Sequence, residues 1–346
     1  SCNRTFAAQV AYSTGAFPIS VVAADVNGDS KLDIIVPNSG SNNVSVLLNN
    51  GNGTFATQVT YSTDNYPISV VAADVNGDSK LDIIVANANS RNVGVLLNNG
   101  NGTFATQVTY LTDSAPYSVA AADVNGDTKL DIIVASLGSN NVGVLLNNGN
   151  GTFATQVTYS TGSAPYSVAA ADVNGDIKLD IIVANANSNN VGVLLNNGNG
   201  TFATQVTYST GSSPYSVAAA DVNGDNKLDI IVANYVSNNV GVLLNNGNGT
   251  FATQVTYSTG THPISVVAAD ANGDSKLDII VATWGSNNVG VLLNNGNGTF
   301  ATQVTYSTDS YPYSVAAADV NGDSKLDIIV ANFLSSNIGV LLAVCA

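Results

Sequence analysis

Four short apolar stretches follow one another along the chain and then return in the same order. The first, Phe6 to Thr14, contains the alternating segment Q-V-A-Y, and the second, Ile19 to Ala24, is rich in small apolar residues. The third, Asp33 to Val36, carries an uninterrupted apolar run typical of a strand buried on both faces, and Val44 to Leu48 is the fourth. No useful stretch has apolar residues at helical spacing. The pattern predicts an all-β protein.

The set of four stretches occurs seven times with a period of 49 residues, so that Asp25 returns at Asp74 and in every later copy. Seven units of four short strands predict a solenoid or a propeller. Because sustained repetition overrides the domain count expected from length, residues 1–346 are interpreted as a single domain.

The two ends of the chain favour a closed propeller. Cys2 and Cys345 align with the same repeat position, in the hairpin that follows the fourth stretch. Within a blade, where the second stretch becomes the first strand, this hairpin joins the third strand to the outer, fourth strand. In a closed ring of seven blades with four antiparallel strands each, the last blade takes three strands from Val315–Val344 and its outer strand from Phe6–Thr14. A Cys2–Cys345 disulfide would then replace the missing hairpin, contributing ~5 kcal/mol in the chain-entropy model.

The loop after the second stretch has the pattern D-x-N-G-D-x-K-L-D in every copy. Side-chain oxygens at positions 1, 3, 5 and 9 and the carbonyl at position 7 suit a hard cation such as Ca²⁺, whereas a metal-free Asx-rich turn is the alternative. We therefore expect about seven Ca²⁺ ions per chain. The predicted ligands are Asp25, Asn27, Asp29, Lys31, Asp33, Asp74, Asn76, Asp78, Lys80, Asp82, Asp123, Asn125, Asp127, Lys129, Asp131, Asp172, Asn174, Asp176, Lys178, Asp180, Asp221, Asn223, Asp225, Lys227, Asp229, Asp270, Asn272, Asp274, Lys276, Asp278, Asp319, Asn321, Asp323, Lys325 and Asp327.

The charge of the chain belongs mainly to these loops. All 24 acidic residues are Asp, and only Asp64, Asp113 and Asp309 lie outside the loops, so the net charge of −15 would be largely offset by calcium. Nine basic residues without a cluster argue against nucleic acid, and no apolar run is long enough to span a membrane. The absence of Met predicts a processed chain, and the calcium loops, the two cysteines that could pair and the N-x-T sequons fit a secreted, extracellular protein, expected to be a monomer.

The blocks D-V-N-G-D-x-K-L-D-I-I-V, N-V-G-V-L-L and G-T-F-A resemble FG-GAP/VCBS repeats over essentially the whole chain. Such repeats build the seven-bladed propellers of integrin α-subunit heads and of some calcium-containing fungal lectins. The resemblance implies Ca²⁺ in the loop between the first and second strands of each blade. Loop position 6, usually Gly in the family, is never Gly here, and the β-branched Ile177 would be strained there if the position needs a positive φ.

The strand order sorts the loops into two faces. The cation loops and the N-N-G-N-G hairpins share a nearly invariant face, whereas the other two loops of each blade share a face that varies between repeats. We call the second one the variable face. Exposed aromatic residues on a rigid scaffold are typical of a binding site, although neutral drift in turns is an alternative. The predicted ligand-face residues are Phe17, Tyr66, Arg91, Tyr235, His262, Trp284, Tyr311 and Phe333.

Catalysis has little support in the sequence. The chain has no Glu and one His, His262, and it carries no nucleophile, phosphate-loop or zinc motif. We expect a non-catalytic recognition or adhesion module that binds a glycan or an extracellular protein. A multivalent lectin with pockets between blades is the main alternative. A polysaccharide-processing enzyme and a ligand-free repeat scaffold are less favoured.

Overall fold

The computed structural model describes residues 4–345 as a ring of seven antiparallel four-stranded sheets. The all-β, seven-bladed prediction is therefore confirmed. The elements are β1 (Arg4–Phe6), β2 (Val10–Ser13), β3 (Val22–Ala24), β4 (Asp33–Asn38), β5 (Asn43–Leu47), β6 (Val59–Ser62), β7 (Pro67–Ala73), β8 (Asp82–Asn87), β9 (Asn92–Leu96), β10 (Val108–Leu111), β11 (Pro116–Ala122), β12 (Asp131–Ser136), β13 (Asn141–Leu145), β14 (Val157–Ser160), β15 (Pro165–Ala171), β16 (Asp180–Asn185), a 3₁₀ turn (Ala186–Ser188), β17 (Asn190–Leu194), β18 (Val206–Ser209), β19 (Pro214–Ala220), β20 (Asp229–Asn234), β21 (Asn239–Leu243), β22 (Val255–Ser258), β23 (Pro263–Ala269), β24 (Asp278–Thr283), a 3₁₀ turn (Trp284–Ser286), β25 (Asn288–Leu292), β26 (Val304–Ser307), β27 (Pro312–Ala318), β28 (Asp327–Asn332), β29 (Asn337–Leu341) and β30 (Ala343–Cys345).

Blades one to six each use four consecutive strands, from β3–β6 to β23–β26, and the first strands of neighbouring blades pack side by side around the axis. The second strand is completely buried in every blade, as its continuous apolar run predicted. In the first blade the inner strand is shorter than the predicted Ile19–Ala24. Within Ile19–Val21, the Ile19 N–H bonds to the Pro37 carbonyl (3.2 Å) and the Val21 N–H bonds to Ser314 Oγ of the seventh blade (3.3 Å), so a regular ladder begins only at Val22. The outer strands expose every residue except the inward-facing Tyr.

The seventh blade combines the two ends of the chain. Strands β27, β28 and β29 are completed by β2 as the outer strand, and β1 pairs with β30 so that Arg4 lies opposite Cys345. Cys2 lies outside the described residues, so the predicted disulfide stays a prediction. We call the β1–β30 pair, where a covalent hairpin is absent, the seam.

Neighbouring blades are joined by an apolar core and by two repeated polar contacts. Serine hydroxyls of the inner strands accept a backbone N–H from the next blade, as Ser69 Oγ does from Val119 (3.1 Å). On the cation-loop face, the Asn98 amide donates to the Val26 carbonyl of the preceding blade (2.9 Å) and to the Leu81 carbonyl of its own blade (2.8 Å). These contacts hold the loops of adjacent blades in register.

Candidate functional site: cation loops and the variable face

The first aspartate of each cation loop organises the backbone around itself. Asp25 Oδ1 accepts the Gly28 N–H (2.8 Å) and Asp25 Oδ2 accepts the Ser30 N–H (2.8 Å), while Asn27 Oδ1 accepts the Asp29 N–H (3.0 Å). This folds the loop tightly and turns the side chains of positions 1 and 3 inward. The same bonds recur in later copies, for example at Asp172.

The last aspartate of the loop is buried beneath it. Asp33 accepts the Val26 N–H (3.0 Å) and the Asn49 N–H (2.8 Å), and its side chain has no exposed surface. Burial raises the pKa of the Asp33 carboxyl, and the negative charges of Asp29 and Asp25 raise it further. The corresponding effects raise the pKa of Asp278 to about 6. Three carboxylates in each loop therefore repel one another, which is the condition that a bound cation relieves.

Position 6 has a left-handed backbone in all seven loops. Its φ is 64° at Ser30 and 68° at both Thr128 and Ile177. The condition for strain at Ile177 is thus met, since a β-branched residue is disfavoured at positive φ. The Ile177 side chain is 94% exposed, so no packing interaction compensates for this conformation.

The donor set of each loop fits a hard cation, because carboxylate, amide and carbonyl oxygens are the ligands that calcium prefers. In residues 4–345, however, no three His, Cys, Asp or Glu side chains are grouped closely enough to hold a metal ion as they stand. The ammonium group of Lys31, whose carbonyl is the predicted ligand, lies 3.3 Å from an Asp29 carboxylate oxygen. Calcium binding would therefore require the loop carboxylates to approach one another more closely than they do here.

The loops divide between two faces as the strand order predicts. The hairpin glycine Gly51 packs on the side chain of Lys31 in the cation loop, whereas Phe17 packs on Gly40 in the other loop of the same blade. The variable-face loops also bond to each other through their backbones, as between the Trp284 N–H and the His262 carbonyl (3.0 Å).

A column of stacked rings crosses the variable face over the fourth to sixth blades. Tyr166 and Tyr215 have centroids 3.9 Å apart, Tyr215 and Tyr235 4.4 Å, and Tyr235 and His262 4.5 Å, with interplanar angles of 9°, 14° and 16°. The outer end of the column is His262, which lies beside Gly285. Gly285 leaves the space that this ring needs.

A second aromatic group lies over the sixth, seventh and first blades. Phe17 stacks on Phe333 at 4.8 Å, and Trp284 contacts Phe333 (5.4 Å), Tyr311 (4.7 Å) and Tyr313 (5.4 Å). Phe17 and Tyr311 reach these positions with positive φ values of 59° and 58°. The same position has a positive φ in every repeat, as at Ala115 and Ser213, so this backbone conformation belongs to the repeated scaffold.

Tyrosine hydroxyls join the two groups at the axis. Tyr117 Oη lies 2.8 Å from Tyr166 Oη and 2.9 Å from Tyr313 Oη. Because Tyr117 belongs to the third blade and Tyr313 to the seventh, this contact spans the central channel. Burial raises the pKa of both phenols, and it raises the pKa of Tyr215 to about 12. The result is one connected aromatic surface, which we call the aromatic surface, formed by Phe17, Tyr117, Tyr166, Tyr215, Tyr235, His262, Trp284, Tyr311, Tyr313 and Phe333.

Six of the eight predicted ligand-face residues belong to the aromatic surface, and two do not. Tyr66 lies in the loop before the second blade, near enough to Tyr117 to help raise its pKa, and Arg91 is exposed in the β8–β9 turn. Neither makes a ring contact within the described part of the chain. Sequence reasoning missed the axial tyrosines. They could have been found at the position that follows the proline before each inner strand. This residue is Tyr in four repeats and Ile in three, so it varies between repeats as the variable-face loops do.

Grooves also occur between blades, at the outer edge of the ring. One of about 290 Å³ is lined by Tyr12, Leu47, Phe55 and Gln58, among others. The Tyr12 and Phe55 rings meet edge to face at 5.3 Å, and the equivalent Tyr–Phe pair recurs at later blade junctions, as at Tyr61 and Phe104. Repetition of the sequence thus produces a repeated surface.

Within residues 4–345, no helix is both long and apolar enough to cross a membrane. A comparison with curated proteins finds no match. The family model described as FG-GAP-like repeat matches residues 25–85, 74–134, 123–183, 173–232, 221–281 and 272–330.

Solved structures with the same fold include proteins of different function. An Agrocybe aegerita lectin, described as recognising non-reducing terminal N-acetylglucosamine, is 23% identical, with 92% of this chain and 86% of that chain covered and a TM-score of 0.61. A virginiamycin B lyase from Staphylococcus aureus is 15% identical, with 97% and 99% covered and a TM-score of 0.70. A streptogramin B lyase is 16% identical, with 99% and 98% covered and a TM-score of 0.69. At these identities the likeness is one of fold alone.

Proposed function

This chain belongs to the FG-GAP-like repeat family, and we propose that it is a secreted, calcium-binding propeller that acts as a non-catalytic recognition or adhesion module. The observation that carries the proposal is the aromatic surface. It is uneven around the ring, with Trp284 and Phe333 in the sixth and seventh blades and no residue from the second blade, although the scaffold beneath it is sevenfold repeated. An asymmetric surface on a symmetric scaffold is expected of a single ligand site.

The cation loops are the structural half of this proposal. In each loop the side chains at positions 1, 3, 5 and 9 and the carbonyl at position 7 would hold one Ca²⁺, as Asp25, Asn27, Asp29, Asp33 and Lys31 do in the first blade. Bound calcium would supply the positive charge that the repelling carboxylates lack. Native mass spectrometry should find about seven ions per chain, and chelation should lower the melting temperature. A chain that binds few ions and melts unchanged in chelator contradicts this half of the proposal.

The aromatic surface is the recognition half. Trp284 and Phe333 form its centre, and Phe17, 39% exposed, forms one edge. Large rings at the centre of a site contribute most of the binding energy in typical interfaces, and sugar rings stack on the same kind of surface. We propose a single glycan or extracellular protein ligand that covers Trp284.

A binding screen with matched variants tests this assignment. The wild-type chain is applied to a glycan array and to an array of extracellular protein domains, followed by the variants Trp284→Ala and Leu137→Ala. Leu137 is the control because it holds the position of Trp284 in the third blade, which contributes only Tyr117 to the aromatic surface. We expect Trp284→Ala to weaken binding by at least tenfold and Leu137→Ala to leave it unchanged. Equal effects of the two variants would refute a single aromatic site.

The grooves between blades favour a second candidate, a multivalent lectin. Each groove has its own Tyr–Phe pair, and the Agrocybe aegerita lectin with the same fold recognises N-acetylglucosamine. This candidate predicts several equivalent sugars per chain in a titration, and binding that survives Trp284→Ala. A stoichiometry of one would argue for the aromatic surface instead.

The remaining proposals concern the state of the chain. We propose that Cys2 and Cys345 form a disulfide beside the seam and that the protein is an extracellular monomer. Mass spectrometry of peptides from the unreduced protein would test the disulfide, and sedimentation equilibrium would test the monomer. A thiol that reacts with iodoacetamide without prior reduction, or a stable dimer, would contradict them.

A further inference from the structure

The seam changes the surroundings of one cation loop out of seven. Elsewhere, the N-N-G-N-G hairpin of a blade packs against the loop of the preceding blade, as Gly102 does against Asn27 and Gly53 against Asn321. The seventh blade has no such hairpin, because β1 and β30 take its place. The loop of the sixth blade, residues 270–278, therefore faces the first residues of the described chain.

Arg4 occupies the space beside this loop. A methyl group on Gly273 would overlap the Arg4 guanidinium, so the guanidinium lies directly against the loop backbone. At the six equivalent glycines nothing in residues 4–345 lies within 4 Å of that point, as at Gly28 and Gly126. Arg4 is held there by its pairing opposite Cys345 in the seam.

The same loop departs from the others in one further residue. Position 2 is Ala271 in this loop and Val in the other six. Arg4, Thr5, Phe6, Ala271 and Asn272 line a common cavity of about 240 Å³ beside the loop. The Thr5 hydroxyl lies 3.3 Å from the Tyr306 hydroxyl, and Phe6 packs edge to face on the Tyr306 ring (5.1 Å). The seam is thus anchored on the sixth blade as well as on the seventh.

We propose that the Arg4 guanidinium, held against the sixth-blade loop, makes it the weakest calcium site of the seven. This rests on the proposed calcium function. A guanidinium stays protonated at any physiological pH, so its charge is permanent. Held against the loop backbone, this charge repels a calcium ion that enters the loop. A single and a double positive charge about 6 Å apart in water repel each other enough to weaken binding about tenfold.

Calcium titration of the full chain tests the proposal, with stoichiometry followed by native mass spectrometry and affinity by calorimetry. We expect six equivalent sites and a seventh that fills at about tenfold higher calcium. Arg4→Gln should move the seventh site into the strong class, whereas Arg4→Lys, which retains the charge, should leave it weak. Arg91→Gln is the control, since Arg91 is the other arginine of the chain and lies on the variable face.

Two loop variants assign the weak step to its site. Asp270→Asn should remove the weak step and leave six strong sites, and Asp123→Asn in the third blade should remove one strong site instead. Seven equivalent sites in the wild-type chain, or a weak step that survives Arg4→Gln, would overturn the role of Arg4 while leaving calcium binding intact. Absence of calcium binding would overturn the proposed function as well, so the two failures are distinguishable.

Discussion

Ile177 offers a test of the loop geometry that is independent of any ligand. Its φ of 68° lies in the left-handed region, and its side chain is 94% exposed. A left-handed backbone costs a residue other than Gly about 1–2 kcal/mol, whereas Gly costs about 0.5–1 kcal/mol more chain entropy on folding than Ala does. Because exposure means that no packing is lost, Ile177→Gly should stabilise the fold by about 0.5–1 kcal/mol. Ile177→Asn should give a similar gain, since Asn226 adopts the same conformation (62°) in the next blade.

The measurement is thermal unfolding in chelator, so that metal affinity does not enter. For a chain of this length the expected rise in Tm is about 1–3 °C. Thr128→Gly, at the same loop position with the same φ of 68°, should also stabilise. Val236→Gly is the control, because Val236 is 55% exposed but is not among the residues with positive φ, and it should destabilise. Loss of stability in Ile177→Gly and Thr128→Gly alike would refute the left-handed loop.

Three further predictions follow from the polar contacts and the titrating groups. Asn98→Ala should destabilise the protein by about 1–3 kcal/mol in chemical denaturation, because the buried carbonyls of Val26 and Leu81 lose their donor, and Asn99→Ala at the exposed neighbouring position should cost less. The pKa of Asp278 is raised to about 6, so the folded state binds more protons than the unfolded state between about pH 4 and 6. The stability measured in chelator should therefore fall as the pH rises through this window. A melting temperature that stays constant from pH 4.5 to 7 would contradict this prediction. The pKa of Tyr215 is raised to about 12, which means that the fold favours the neutral phenol. Stability should therefore be lost as the pH rises from about 10 to 12. An absorbance titration at 295 nm should show a class of tyrosines that ionises only as the protein unfolds.

Much of the fold follows from local patterns in the sequence. Alternating and continuous apolar runs specify strands because each strand needs only its own residues and its immediate neighbours to choose a buried face. Near-identical strand segments at a fixed spacing then extend the result around the ring, so the four strands of one unit predict those of the other six. The shape of the cation loops also follows from the local sequence, because Asp25 bonds to backbone groups only three to five residues away.

Contacts between non-repeated residues that are far apart in the sequence could not be predicted from these local patterns. Tyr117 and Tyr313 are 196 residues apart, and their hydroxyls meet because the ring places the third and seventh blades across one axis. Arg4 meets Gly273 because the first and last strands share the seam. Repetition determines which elements form and where each loop lies, whereas closure of the ring decides which non-repeated side chains come together, since those contacts depend on the three-dimensional path of the whole chain.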